Sequence, residues 1–236
     1  YGYPVVITNG AKQAIGATFY AMQKMLIRDV GMRNPFWALM PELAEMHGIK
    51  LSTRYGDTFG DGLLDGELVI SPNNPDGFEQ DLISIEKACN DKSVFMLHDG
   101  AYYTKIYTDN CTGVFGDVQV YSGSKMYGLS SMRFGFAVCK NQTAYKHILH
   151  YMEHMTVGVS RIQQEVMIQI LKELDHDKFN SMCRADLEYN RSLLDCIPKD
   201  IVDFERAVGM FAWGKVHDWK AFKNAKLHVI SGEPFG

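Results

Sequence analysis

No run of apolar residues in this 236-residue sequence approaches the roughly 20 needed to cross a bilayer. The first residues also lack the basic start and apolar middle of a secretory signal peptide. No membrane-spanning helix is expected. Cysteine is sparse and badly placed for cross-linking: Cys89, Cys111, Cys139, Cys183 and Cys196 are odd in number, widely spaced and form no Cys-x-x-Cys. That argues against a disulfide framework and a thiolate zinc site, and the expected compartment is a reducing cytoplasm. Positive charge is not in excess either, since 24 Lys and Arg face 28 Asp and Glu for a net charge of -4. Without a basic field, neither nucleic acid nor an acidic membrane surface is expected as a partner. The eight histidines read as scattered, without metal-ligand spacing, so no metal is expected. There is no glycine-serine linker, internal repeat or low-complexity segment. What remains is ample core material, 46% hydrophobic and 12% aromatic, enough for one large domain or one and a half.

That core material is arranged as strand, turn and helix in alternation. A β-branched run at 5–7 leads through Thr8-Asn-Gly-Ala11 into a helix-period segment over 12–29. An extended Asn34-Pro-Phe-Trp37 precedes a short helix over 39–47 that stops at Gly48. The buried-type strand 68–70 runs into Ser71-Pro-Asn-Asn-Pro-Asp-Gly77, whose two prolines make a rigid turn able to aim an asparagine amide. A helical segment over 78–90 and a strand over 94–97 follow, and His98-Asp-Gly-Ala-Tyr-Tyr103 comes directly after that strand. Strands at 118–121 and 134–138 bracket a serine- and glycine-rich loop. Beyond them lie helices over 143–155, 159–174 and 179–196, strands near 201–204 and 209–213, and a last helix over 219–224. This alternation predicts an α/β fold with a mainly parallel central sheet flanked by helices, and a ligand site at the carboxyl ends of the strands.

Four polar loops fall at such strand ends: 8–12, 71–77, 98–103 and 121–125. Each has an ordinary explanation alone. The first can simply open a packing helix, Trp37 can be a core residue, and Asn-Pro-Asp-Gly is a common turn. Asp99 can be a cap, and Ser-x-Ser-Lys can be a solvated surface loop. Chemistry gives each a sharper meaning. A helix start after glycine suits a phosphate. Trp37 offers a face for a planar ring. Asp99, at the end of an apolar strand, is expensive to bury unless it meets a cation such as a pyridinium. Lys125, pinned among small hydroxyl residues with Arg133 eight positions on, can become an amine nucleophile in a partly desolvated site. Coincidence of all four at one sheet edge favours the sharper meaning.

In this order the loops resemble the pyridoxal-phosphate enzymes of fold type I, the aspartate aminotransferase superfamily of class I and II aminotransferases. The most specific part is Ser122-x-Ser124-Lys125-x-x-Gly128-Leu129-x-x-x-Arg133-x-Gly135, supported by Asn74-Pro-x-Gly77 and Asp99-x-Ala-Tyr102. The resemblance implies a large domain with a seven-stranded sheet, assigned to 1–157, and part of a smaller α/β domain over 158–236. It implies pyridoxal 5'-phosphate as cofactor and a homodimer with the site at its interface. It also implies Lys125 as the Schiff-base lysine, Asp99 as partner of the pyridine nitrogen, and Asn74 and Tyr102 as partners of the ring's phenolic oxygen. Trp37 is implied as the stacking ring, and Gly10, Ala11, Lys12, Ser122, Ser124 and Arg133 as the phosphate cup.

The segment that closes the site in this superfamily, and the arginine that grips the substrate carboxylate beyond a motif like Gly232-Glu-Pro-Phe-Gly236, are not in the chain. Both ends read as abrupt, and a truncated chain is expected. The implied activity is transfer of an amino group between an L-amino acid and a 2-oxo acid. The Pro-Asn-Asn-Pro-Asp-Gly turn also resembles the alliinase and tryptophan aminotransferase branch, which keeps a β-eliminating C–S lyase as the runner-up. An aminotransferase-like regulator domain without catalysis is the third reading.

Overall fold

Seven short segments rich in small and β-branched residues supply the sheet of the computed structural model, which describes residues 2–55, 64–224 and 229–235. Gly236, the end of the turn-like C-terminal motif, lies outside them. The strands are β1 (Val5–Thr8), β2 (Asp29–Arg33), β3 (Lys50–Arg54), β4 (Gly66–Ile70), β5 (Phe95–Asp99), β6 (Val118–Ser122) and β7 (Gly135–Cys139), in the spatial order β1-β7-β6-β5-β4-β2-β3. Pairing is parallel from β3 through β2, β4 and β5 to β6, and antiparallel where β7 meets β6 and β1. The expected mainly parallel, seven-stranded α/β sheet is present. Because β4, β5 and β6 run the same way in register, Ile70, Asp99 and Val120 lie side by side, and the loops that follow share one edge.

Helix α1 (Ala11–Lys24) lies against the sheet because nearly all of its small and apolar side chains point inward, with Ala14, Ile15, Ala17, Phe19, Ala21 and Met22 buried. Helix α5 (Gln142–Thr156) packs on it through Ala144, Ile148 and Met152. Its start is capped by Asn141, whose Oδ1 accepts from the Thr143 and Ala144 amides. The other helices are α2 (Met40–Glu45), α3 (Leu82–Lys92), α4 (Gly123–Met126), α6 (Arg161–Glu173), α7 (His176–Ser192) and α8 (Trp219–Asn224), with a hairpin of β8 (Val202–Val208) and β9 (Phe211–Val216) between α7 and α8. All five cysteines are free thiols. Among the described residues no helix is long and apolar enough to cross a membrane.

Three expectations change. The helix over 12–29 stops at Lys24, because Leu26 takes a left-handed backbone (φ 64°) and Asp29 already begins a strand. The helix expected from 78 begins at Leu82, where Asp81 caps it by accepting from Ser84 N. The serine-glycine turn before Lys125 is the short helix α4.

Strands β2 and β3 escape the sequence pattern because they have charged ends and few apolar residues, although Val30 and Met32 are buried in the core and an ion pair reaches across β2. Glu67 of β4 and Arg54 of β3 reach each other across β2, with Arg54 Nη1 donating to Glu67 Oε2 at 3.2 Å. Gly31 leaves the room: a Cβ there would collide with Glu67 Oε2 and come within 2.8 Å of Arg54 Nη1. Burial holds the Glu67 carboxyl above the usual range, against the pull of Arg54. Arg54→Met therefore strands a buried carboxylate and should destabilise the fold by about 3–5 kcal/mol. The double variant with Glu67→Met should recover much of that loss in urea unfolding; no recovery would show that the pair itself is not the cause.

Candidate active site

The parallel strands set the location before any side chain is considered. Loops leaving the carboxyl ends of β4, β5 and β6, together with the turn into α1, surround a cavity of about 340 Å³. Ala11, Lys12, Trp37, Asn74, Asp99, Tyr102, Ser122, Ser124, Lys125 and Arg133 are among its walls. Every expected site residue except Gly10 is thus a wall of one cavity, and Gly10 lies directly behind Arg133.

Asp99 ends β5 in the middle of the sheet and is only 5% exposed. Its Oδ1 accepts one hydrogen bond, from Ala101 N at 3.0 Å, and among the described residues it makes no ion pair. Desolvation pushes its carboxyl up to about 6, and that single N–H opposes the shift only in part. In the same loop the Tyr102 hydroxyl accepts from Asn74 Nδ2 at 3.4 Å, and burial raises the phenol well above its ordinary value. Lys125 is half-buried in α4, with its Nζ 5.4 Å from the centroid of the Tyr102 ring and, among the described residues, no ion-pair partner.

The opposite end of the cavity is rich in donors. Helix α1 starts at Gly10 (φ 96°); Gln13 N donates to Gly10 O at 3.1 Å, while the amides of Ala11 and Lys12 come too early in the helix to have an intrahelical acceptor. Arg133, itself left-handed (φ 49°), returns from the loop after α4 to this turn, donating from Nη2 to Asn9 O at 3.2 Å and from Nη1 to Ser130 O at 2.9 Å. A Cβ on Gly10 would stand 2.6 Å from Arg133 Nη2, and one on Gly135 2.7 Å from Ala11 N. Both glycines are what allow β7, Arg133 and the start of α1 to meet. Lys12 lies over the Trp37 ring at 5.9 Å. The arrangement offers positive charge and N–H donors at one end and a lone carboxylate at the other, between flat aromatic faces.

Several residues that hold this site carry no clear signal in the sequence. Asp76, 4% exposed, accepts from Arg33 Nη1 (2.9 Å), Asn73 Nδ2 (2.7 Å) and Phe78 N (3.1 Å), while Asn73 Nδ2 also reaches Pro35 O at 2.8 Å. This brace ties the loop carrying Asn74 to the loop carrying Trp37. His98, fully buried beside Asp99, has its basicity pushed down to about 4 by desolvation, and its Nε2 lies 3.1 Å from Ser71 O. A neutral ring donating to that carbonyl fixes the start of the same loop. Ser130 lines the cavity, Tyr107 donates its hydroxyl proton to Lys125 O at 3.2 Å, and Phe211 packs edge-on against Tyr102 at 4.8 Å. The clue to Asp76 is its place between Pro75 and Gly77, in a turn that itself reads as functional. Nothing local marks Phe211, which arrives from far along the chain.

Comparison with known proteins agrees with this geometry. A family model described as allinase matches residues 2–193. Tryptophan aminotransferase-related protein 2 of Arabidopsis thaliana is 30% identical over 175 residues, covering 71% of this chain and 38% of its own length. Alliin lyase of Allium cepa var. aggregatum is 38% identical over 108 residues, 46% of this chain and 23% of the lyase. The chain spans about two fifths of the first of these relatives. An aspartate aminotransferase of Thermus thermophilus superposes with a TM-score of 0.82 at 18% identity, over 98% of this chain and 68% of the other, a likeness of fold alone. A family model over most of the length and this shared architecture place the chain in the allinase family, within the fold type I, aspartate aminotransferase superfamily of pyridoxal-phosphate-dependent enzymes.

Proposed function

We propose that this chain forms the cofactor-binding part of an aminotransferase that moves an amino group between an L-amino acid and a 2-oxo acid. The observation that carries the reading is Asp99, a buried carboxylate without a cation, in the same cavity as the Lys125 amine. The residues fit pyridoxal phosphate. A pyridine nitrogen that keeps its proton supplies the cation Asp99 lacks, and the cup of Ala11, Lys12, Ser122, Ser124 and Arg133 around the start of α1 suits a phosphate dianion. Gly10 belongs to that cup by leaving Arg133 its space. Trp37 offers a ring face, and the Asn74 and Tyr102 pair offers donors to a phenolic oxygen.

When bound, the cofactor supplies an electron sink for the substrate's α-carbon. The chain's own residues do the rest. Asp99 would hold a proton on the ring nitrogen, and Lys125 would supply the amine that anchors the cofactor and moves the proton of the substrate's α-carbon. The Asp76 brace keeps Trp37 and Asn74 at a fixed separation around the ring. Coverage favours transamination, because the aminotransferase-related relative aligns over 71% of the chain and the alliin lyase over 46%. The second reading is a C–S lyase, supported by the allinase family model.

Asp99 gives a test with a definite sign. Without cofactor its carboxyl is raised from the ordinary 3.8 to about 6. Between those values the unfolded chain has released a proton that the folded chain retains, so stability falls as pH rises through the window, by about 3 kcal/mol in total. Asp99→Asn should flatten that decline in cofactor-free protein and leave the variant more stable than the parent at pH 8. It should also weaken cofactor binding and turnover, by roughly the 2–5 kcal/mol typical of losing one partner of a buried charge pair. Urea melts at pH 4 and pH 8 and a cofactor titration read both effects; parent-level turnover by the variant would end the assigned role.

Lys125 is checked by borohydride reduction of the holoenzyme and peptide mapping, with the pyridoxyl mass expected on Lys125 and nowhere else. Lys125→Ala should abolish the chemical step and spare noncovalent cofactor binding. Reaction type is checked by mixing the complete holoenzyme with L-amino acids and no oxo-acid acceptor. A transaminase stops after one equivalent of 2-oxo acid per site, whereas sustained ammonia release would establish the lyase reading and leave the cofactor assignment standing.

A further inference from the structure

The histidines read from sequence as scattered, yet helix α5 gathers part of them. His150, Glu153 and His154 stand at i, i+3 and i+4 on one exposed face, and one ligand atom of each lies within 4.8 Å of the others. The helix expected over 143–155 already places these three on one face, so reading the histidines as scattered overlooks a helical spacing in favour of the loop spacings of thiolate zinc sites. We propose that this face is a binding site for a divalent transition-metal ion of the zinc, nickel or copper class, held by His150, Glu153 and His154.

Two observations beyond proximity support it. His154 Nδ1 lies 2.8 Å from His150 O, so that nitrogen donates to the carbonyl. The proton is then fixed on Nδ1 and Nε2 keeps the lone pair available to a metal, the second-sphere arrangement that metal-bound histidines typically have. His150 is restrained in turn: its ring stacks on Tyr20 of α1, with centroids 6.4 Å apart and planes 23° from parallel, and the two imidazole centroids are 4.0 Å apart. Tetrahedral coordination with bonds of about 2.0–2.2 Å needs donors about 3.4 Å apart, closer than the 4.8 Å within which these atoms lie, so the exposed side chains would turn towards the ion on binding. Two imidazoles and one carboxylate select a borderline transition ion over magnesium or calcium, which prefer oxygen. Three protein ligands leave the remaining positions open to water. Tyr20 is nine residues along α1 from Ala11, about 14 Å of helix axis, which separates this face from the cofactor cavity.

Cobalt(II), as a spectroscopic stand-in for zinc, should bind the metal-stripped complete holoenzyme with an absorption spectrum of nitrogen and oxygen ligation, and zinc but not magnesium should displace it. His150→Ala and His154→Ala should each weaken that binding at least about tenfold, with Glu153→Gln weakening it less and catalytic turnover unchanged in all three. Zinc should also raise the melting temperature of the parent and not of His154→Ala, as expected for a ligand that binds only the folded helix. The proposal is overturned if the parent takes up no cobalt, if both histidine variants bind as the parent does, or if a thiolate charge-transfer band shows that cysteine holds the ion.

Discussion

A carboxylate without a cation in the middle of a sheet is the constraint around which the rest of this molecule is arranged. Asp99 is fixed there by register, with Ile70 on one side and Val120 on the other, and neither neighbour can neutralise it. Its single hydrogen bond, from Ala101 N, stabilises the anion too little to offset desolvation. A protein built only for stability would place an apolar residue at that position. A cation in the cavity would recover the cost of keeping aspartate, which is why the burial of this one side chain bears on function more than any turn motif does.

The opposite pole depends on a reversal in the sheet. Strand β7 is antiparallel to both neighbours, so the chain that leaves β6 through α4 and Lys125 comes straight back past the start of α1. That return path puts Arg133 against Asn9 and Gly10 from a distant part of the sequence. Gly135 matters for the same reason, since any side chain there would strike the Gly10 to Ala11 peptide. One antiparallel strand therefore joins the lysine and the anion cup, and charge separation across the cavity follows from topology.

Most of this site is legible in the sequence because each residue follows an apolar strand directly, and a polar loop at such a place stands out against its flank. Lys125, Asp99 and Asn74 are all of this kind. Strands β2 and β3 are not legible: Asp29-Val-Gly-Met-Arg33 and Lys50-Leu-Ser-Thr-Arg54 have charged ends and, in β2, a central glycine. The two pair in parallel register with each other and β2 with β4, and the Glu67 to Arg54 pair reaches over Gly31, a three-strand relation that no local window contains. The α5 histidines are legible, since the expected helix over 143–155 contains them at i and i+4; they escape notice only when histidines are judged by loop spacings. Phe211 reaches Tyr102 only through the fold.

The braces explain how the polar groups divide between stability and chemistry. Asn74 must aim its amide, yet it sits in a turn where solvent would let an asparagine wander. Its neighbours remove that freedom: Asn73 is tied to Pro35 O and Asp76, Asp76 to Arg33 and Phe78 N, and Ser71 O meets the His98 ring. These bracing side chains do not line the cavity, and each is held by partners within the protein. The charged residues that do face it, Lys12, Asp99, Lys125 and Arg133, have no ion-pair partners among the described residues. Supporting polar groups are tied down and the charged groups of the cavity wall are left open, so a ligand taken up there would not have to order the loops that carry them.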